Sequence, residues 1–311
     1  MRDARARRAC RVRWARVSPH RGSAMQQVTP GQVRTANEKS RRLRELIQSG
    51  KTLVMPGAYD GFSARLFESL GFPAIQCSSG PVAWTHGRGD GEQITRDQFV
   101  AATARIAQSV AVPVNADGER GFGDADTIGE TARGLIAIGA AGMNVEDSLP
   151  GDKGIHAGLA PLERHAAKLR ALVATRKELG SEFFLNARVD ALLVMRDDPK
   201  AALREAVRRG QAYAEIGGDC IFYTAAVSRD VIAILVKEVP APVSVLAGPQ
   251  TPPIAELQEI GVARVSYGYA FAVAAAGAMR RLALEIQQKG TIAGLADAGV
   301  TSADLAAMMS R

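Results

Sequence analysis

From about residue 50 onward the chain alternates short apolar runs with longer amphipathic stretches, and it does so eight times. The apolar runs fall at 52–55, 74–77, 113–116, 142–145, 183–187, 220–223, 243–246 and 263–266. Each is short and bounded by Gly, Pro or polar residues, as strands buried on both faces are. Helical patterns occupy 61–70, 96–109, 125–138, 161–178, 199–216, 229–239, 253–260 and 271–288. Thr95 and Gln98 have the spacing of a capping box, and Asp198 followed by Pro199 offers an acid at the N-cap and proline at the first helical position. Gly71, Gly139, Gly180, Gly217 and Gly261 follow helical runs, where left-handed C-caps belong. Eight such units without a break in composition predict one closed parallel barrel, the (β/α)8 TIM barrel. A doubly wound open sheet is the alternative, but units of roughly 30 residues fill a barrel's usual length. Helical patterns at 31–49 and 302–309 lie outside the repeats and would cap an end or reach another subunit. Residues 25–311 thus read as a single barrel domain behind a basic extension, residues 1–24.

The net charge of +7 and pI near 9.6 raise the question of a nucleic-acid partner. The excess is confined to residues 1–24, which hold eight arginines and one acid, Asp3, so the rest of the chain is neutral. That arm reads as a disordered leader, or as residues ahead of a true start at Met25. A basic arm that binds RNA, an anionic membrane or an import receptor is the other reading. A neutral body gives nucleic acid no footprint, so none is expected as a partner. No uncharged apolar run reaches the roughly 18 residues a bilayer span needs, so no membrane association is expected either. Cys10, Cys77 and Cys220 are an odd, scattered set without CxxC spacing. They argue against a disulfide framework and a zinc site, and for a reducing, cytoplasmic compartment. Cys77 and Cys220 sit in apolar runs and read as core.

In a parallel barrel, residues just after each strand face the mouth where barrel enzymes work. Here those positions are acidic. Ser78, Ser79 and Gly80 follow the second run, with His86 and Asp90 in the loop beyond. Asp117 and Glu119 end the third, Glu146 and Asp147 the fourth, and Arg188 the fifth. So many carboxylates at one mouth repel one another unless a cation compensates them. An oxygen-only set selects a hard ion, Mg²⁺ or Mn²⁺, over Zn²⁺. Asp117, Glu119 and Glu146, with Asp90, are therefore the candidate metal residues, while Asp147 reads as an N-cap or a surface ion pair. The glycines at 118, 121 and 123 imitate a dinucleotide fingerprint, but no ribose-binding acid follows about 20 residues on. They read as a tight strand-to-helix turn that frees Asp117 and Glu119.

Asp117-Gly-Glu-Arg-Gly-Phe-Gly123 resembles the D-x-[D/E]-x-G-[Y/F]-G signature of the isocitrate lyase/phosphoenolpyruvate mutase superfamily. Asn144-Val-Glu-Asp147 resembles its strand-end glutamate motif, and Asn186-Ala-Arg-Val-Asp-Ala191 its substrate-binding arginine motif. Pro56-Gly-Ala-Tyr-Asp60 and Ser78-Ser-Gly80 also fit, and the loop 87–91 puts Asp90 where the superfamily has a metal-shell aspartate. The likeness spans roughly residues 35–285, with its motifs in order on successive strands as a barrel requires. It implies an α-oxo or α-hydroxy carboxylate bound to Mg²⁺, with Asp117 as direct ligand. Asp90, Glu119 and Glu146 would bind directly or hold the metal's waters. Arg188 would meet a substrate carboxylate or its enolate oxygen, and the backbone around Ser78, Ser79 and Gly80 would bind carboxylate, with Tyr59 and Asp90 also on the substrate side. The resemblance further implies exchange of the last helix between subunits and a homotetramer, a dimer of helix-swapped dimers.

The superfamily's isocitrate and methylisocitrate lyases carry a Lys-[Lys/Arg]-Cys-Gly-His loop after the fourth strand, with the cysteine as the acid that quenches the product carbanion. Here residues 147–158 contain no cysteine. Gly151, Gly154 and Gly158 suit a lid, and Lys153 and His156 are its groups fit for proton delivery near neutrality. Residues 246–249, Leu-Ala-Gly-Pro, offer fewer polar groups than lyases of the superfamily do, which points to a substrate tail smaller or less charged than a tricarboxylate. Tyr223 and Tyr267 would line the pocket or pack beside it. The expectation is a lyase that cleaves a C–C bond of a small 2-hydroxy or 2-oxo dicarboxylate, alkylmalate-, methylisocitrate- or oxaloacetate-like, through an enolate. P–C bond chemistry (phosphoenolpyruvate or carboxyphosphonoenolpyruvate mutase, phosphonopyruvate hydrolase) is the alternative. A non-catalytic protein that binds through its basic arm is a third reading.

Overall fold

The structure, a computed structural model, describes residues 27–151 and 156–310; the arginine-rich arm, Cys10 and Lys153 lie outside the described residues. Its strands are β1 (Leu53–Met55), β2 (Gly57–Ala58), β3 (Ile75–Cys77), β4 (Val114–Asp117), β5 (Gly142–Glu146), β6 (Ser148–Pro150), β7 (His156–Leu159), β8 (Phe184–Val189), β9 (Cys220–Tyr223), β10 (Val243–Leu246) and β11 (Arg264–Ser266). Nine of them form one parallel sheet in the order β1-β11-β10-β9-β8-β5-β4-β3-β2. β1 and β2 are one barrel strand interrupted at Pro56, which has no N–H to give a ladder. Leu53 pairs with Arg264 on one side and Gly57 with Gln76 on the other, and the Pro56 carbonyl accepts from the Gln76 N–H at 3.0 Å. The expected barrel is therefore borne out, closing through the chain itself, with an added piece of strand that the run at 52–55 did not include.

The local signals behave as the chemistry predicts. Thr95 accepts from the Gln98 N–H in a complete capping box, and the Asp198 side chain accepts from the Ala201 N–H. All five C-cap glycines have positive φ, between 58° and 109°. The leading helix, Pro30–Ile47, places Leu43 and Ile47 against Leu53, Met55, Ala74, Ala141, Phe184 and Cys220, plugging the barrel's N-terminal end. Complete burial of side chains of this size contributes about 1.5–3 kcal/mol each, which ties the helix to the barrel. Cys77 and Cys220 are core thiols, pushed up to about 12 by burial.

Three features depart from the expected elements, and all lie at the mouth. β4, β5 and β8 run further than their apolar cores, so Asp117, Glu146 and Arg188 are strand residues rather than loop residues. The expected lid loop begins and ends as an antiparallel hairpin of β6 and β7. Short helices at Ser79–Thr85 and Ala191–Val194 follow β3 and β8. Among the described residues no helix is long and apolar enough to cross a membrane.

Candidate active site

Parallel pairing brings the functional side chains together directly. Asp117 lies opposite Asn144, and Glu146 opposite Arg188. Arg188 donates through Nη1 to Glu146 Oε2 at 2.6 Å and through Nε to Asp190 Oδ1 at 2.9 Å. Asp190 Oδ1 also accepts from Thr224 Oγ1 at 2.5 Å. Asp117 accepts from Ser79 Oγ at 3.1 Å and from Asn144 Nδ2 at 3.3 Å, and Ser79 reaches Asp90 at 3.4 Å. Except for Asp190, which lies buried behind Arg188, these residues, with Gln76, Ser78, Gly80, Glu119, Arg120 and His156, line a cavity of about 430 Å³, a size suited to a small ligand. Beneath them a polar ladder descends into the barrel. Asn144 Oδ1 accepts from Asn115 and Asn186 at 2.7 and 2.6 Å, Asn115 donates to Gln76, and Gln76 accepts from the buried Arg264.

The electrostatics are those of a crowded acid site. Burial raises the Asp117 carboxyl above its usual range. Burial and the charges of Asp90, Glu146 and Asp117 push Glu119 up to about 9. Burial pushes Glu146 up to about 8, with Arg188 opposing it. Asp190 is held low: burial works against it, but Arg188 and Thr224 stabilise its charge. Arg188 in turn stays firmly protonated, because Asp190, Glu146 and Asp117 outweigh its burial. Glu119 Oε1 is buried without a hydrogen-bond partner, and Glu119 itself sits at φ 48° in the turn after β4. Repelling carboxylates, all oxygen donors, around an orphaned carboxylate oxygen fit a hard divalent cation.

The tightest three-ligand grouping among the described residues lies elsewhere: Glu146, His156 and Asp190 offer atoms within 4.8 Å of one another. We favour the Asp90, Asp117 and Glu119 side for the ion. Arg188 already sits between Glu146 and Asp190, so a cation placed between them would face that guanidinium. No ion pair is formed by Asp90, Asp117 or Glu119 among the described residues.

A family model for phosphoenolpyruvate phosphomutase matches residues 43–287. The chain belongs to this family. It is thus an enzyme of the isocitrate lyase/phosphoenolpyruvate mutase superfamily. It is 30% identical over 276 residues to 2,3-dimethylmalate lyase of Eubacterium barkeri, covering 86% of this chain and 93% of the relative. It is 31% identical over 255 residues to 2-methylisocitrate lyase of Aeropyrum pernix, covering 80% of each. A solved structure of phosphonopyruvate hydrolase in complex with oxalate and Mg²⁺ superposes with a TM-score of 0.76 at 28% identity, over 88% of this chain and 95% of that one.

Within this family fold, Ser78, Ser79, Gly80, Asp90, Asp117, Glu119, Glu146, His156 and Arg188 all line the one cavity. Tyr59 does not, which corrects its expected place on the substrate side. It packs, partly buried, against the apolar core, and burial raises its phenol above the ordinary range. Asp147 is corrected too. It is fully buried rather than on the surface, bonded to Arg209 Nη1 and Tyr213 Oη and accepting from the Asp190 N–H, each at 2.9 Å. Tyr223 is core, donating to the Ala206 carbonyl, whereas Tyr267 lines the cavity. Sequence reasoning passed over three residues: Asp190, Arg120 and Arg264. Asp190 had a signal, since it stands two positions after Arg188, the spacing that returns to the same face of a strand. Arg120 and Arg264 had only their charge in otherwise buried segments.

Proposed function

We propose that this enzyme is a Mg²⁺-dependent carbon–carbon lyase acting on a small 2-hydroxy or 2-oxo dicarboxylate of the alkylmalate or oxaloacetate kind. The observation that carries it is Arg188, locked between Glu146 and Asp190, beside an acid cluster with an orphaned carboxylate oxygen. Asp117 would hold the ion directly, with Asp90, Glu119 and Glu146 around it; Mn²⁺ suits the same donors. When bound, the ion supplies Lewis-acid charge at the substrate's carboxylate and C2 oxygens. The backbone of residues 78–80 binds that carboxylate. In a malate-type substrate the C2 hydroxyl gives up its proton and the C2–C3 bond breaks. The bonding pair passes into the distal carboxylate as an enolate, and a proton then adds at C3, leaving a 2-oxo acid and a shortened acid. Arg188 stands ready where negative charge develops and needs no reorganisation to meet it.

For proton transfer the described candidate is His156. Its Nδ1 lies 2.8 Å from Ser148 Oγ, and burial lowers its pKa so that the ring is neutral at pH 7. Lys153 is the lid's second candidate. The wall opposite the acids is apolar, with Leu193, Val227, Leu246 and Ala247, which suits an alkyl-substituted diacid. The test is release of pyruvate or glyoxylate from a panel of malate- and oxaloacetate-type diacids, with and without EDTA. Absence of Mg²⁺-dependent turnover of every member would sink the proposal. Phosphonopyruvate in the same panel, followed by phosphorus NMR, decides against P–C chemistry.

The helix Ala270–Lys289 has no buried residue, and Phe271, Val273, Met279 and Ile286 are exposed along it. We assign this face to a second copy of the chain, in helix-swapped dimers that pair into tetramers. The buried thiols of Cys77 and Cys220 suit a cytoplasmic setting.

A further inference from the structure

We infer that Arg120 is a second anion-binding arginine of this cavity, and that it receives the distal carboxylate of the dicarboxylate substrate. The inference rests on the lyase reading above and deepens it. Arg120 follows Glu119 in the turn after β4 and is 5% exposed. Its backbone is fixed, the carbonyl accepting from Lys168 Nζ at 2.9 Å, and its Nε donates to the Ser148 carbonyl at 3.2 Å. Beyond that one bond the guanidinium is unmet among the described residues, for Nη1 and Nη2 are both buried without a hydrogen-bond partner there. The acid nearest in space is Glu146, whose Oε1 lies 3.5 Å from Nη2, an ion-pair distance rather than a hydrogen bond. Glu146 makes its short contact with Arg188 instead, through the other oxygen. A guanidinium carries five donors in a planar fork, and leaving four of them unmet in a buried place is costly. Such a group is expected to find its partner in a ligand, and a planar fork matches a carboxylate best.

The distribution of charge around the cavity points the same way. Arg188 and Arg120 flank Glu146, one on each oxygen. The acid cluster beyond them would hold the ion, which would supply charge to one end of the substrate. Leu193, Val227, Leu246, Ala247 and Pro249 line the rest of the cavity without a cation, so among the described residues its guanidinium partners for a second carboxylate are Arg188 and Arg120. A branched diacid would then lie with its 2-oxygen end at the ion, its distal carboxylate on the fork of Arg120, and its alkyl groups on the apolar wall.

The experiment is calorimetric titration of the full-length protein in Mg²⁺ with two probes. Oxalate has only the ion-binding end; 3,3-difluorooxaloacetate has that end and a distal carboxylate. We expect Arg120→Gln to weaken the fluorinated diacid by roughly 30-fold, the range of a charged, forked hydrogen bond, and oxalate by less than about threefold. Arg120→Lys, which keeps the charge and loses the fork, should fall between wild type and Arg120→Gln for the diacid. It also decides the matter if the glutamine variant does not fold. Equal weakening of both probes, or of neither, overturns the inference and makes Arg120 a charge-balancing neighbour of Glu146. A wild type that binds oxalate but not the diacid overturns it while leaving the ion site standing. A wild type that binds neither overturns the lyase reading with it.

Discussion

His165 shows how one buried side chain contributes its own pH dependence to the stability of the barrel. It is 2% exposed on the helix Leu162–Glu178, its ring centroid is 4.9 Å from that of Tyr213, and its Nε2 has no hydrogen-bond partner. Burial, reinforced by Lys168 and Arg209, pushes its pKa down to about 3. The unfolded chain takes up this proton near 6.5, so between those values the unfolded state holds one proton more than the native state. The contribution to stability is therefore intact above pH 6.5 and declines as the pH falls toward 3. From this residue alone we expect a loss of about 2 kcal/mol between pH 7 and pH 5. His165→Phe keeps an aromatic ring on Tyr213 and removes the titration. Urea unfolding of both proteins at the two pH values isolates the difference, and parallel losses would refute the assignment. That Asp90, Asp117, Glu119 and Glu146 gather at one cavity was legible in the sequence, because position after a strand and residue type point there together. Asp147 and Asp190 were not, because the same residue type there is settled by burial: one closes a buried pair with Arg209, the other clamps Arg188. Arg264 was equally hidden, a cation inside the barrel bonded, among the described residues, to Ser244, Gln76 and Met55.

The hairpin of β6 and β7 is the element on which the proposed chemistry turns, and it was the least readable. Its sequence lacks the alternation of a half-buried strand, so only its glycines and titratable groups stood out. Ser148 ties it together: its hydroxyl donates to Glu146 Oε1 at 2.9 Å and contacts His156, and its carbonyl accepts from Arg120. If His156 moves the proton, His156→Gln should lower kcat by about 100-fold, the lower end for a lost acid–base group, with Mg²⁺ affinity unchanged. A base must be neutral to act, and burial holds this ring below its ordinary pKa. The acid limb of the wild-type kcat profile should therefore lie below pH 6.5 and vanish in the variant. Full kcat in His156→Gln with its loss in Lys153→Met would move the proton duty to Lys153. The divided first strand teaches a different lesson, since an apolar run ends at Pro56 while the barrel wall continues. Gly57 lies so close to the following layer that an added Cβ would come 1.9 Å from the Gly268 carbonyl oxygen. Backbone cannot yield as a flexible side chain does, so Gly57→Ala should cost at least about 3 kcal/mol in urea unfolding.

The last long helix touches the barrel through Phe271 against Phe67 but leaves much apolar side chain in water, and the proposed second copy would cover it. The sequence from 270 to 279 is apolar nearly all round, a pattern that belongs to a helix covered on every side. Yet Val273 is 51% and Met279 66% exposed, and Ile292, Leu295 and Val300 continue the apolar surface beyond the helix. Four large apolar side chains exposed on one helix of about 30 Å are more than a monomer ordinarily leaves in water. Periodicity marked the helix, but one chain's pattern does not show what would cover it; the sequence expresses it only as apolarity without a core. The helix starts at the cavity, where Tyr269 and Ala270 are lining residues and Tyr269 is itself 56% exposed. Docking a second copy would therefore stiffen one side of the mouth. Introducing charge with Val273→Glu and Met279→Glu together should shift the protein from oligomer to monomer in light scattering, with circular dichroism unchanged because neither residue is buried in the barrel. The monomer should retain Mg²⁺ affinity, whose residues lie on β4 and β5 and the loops beside them, but bind its diacid more weakly through the loosened Tyr269 side. A wild type that is monomeric at micromolar concentration would remove the partner from this argument.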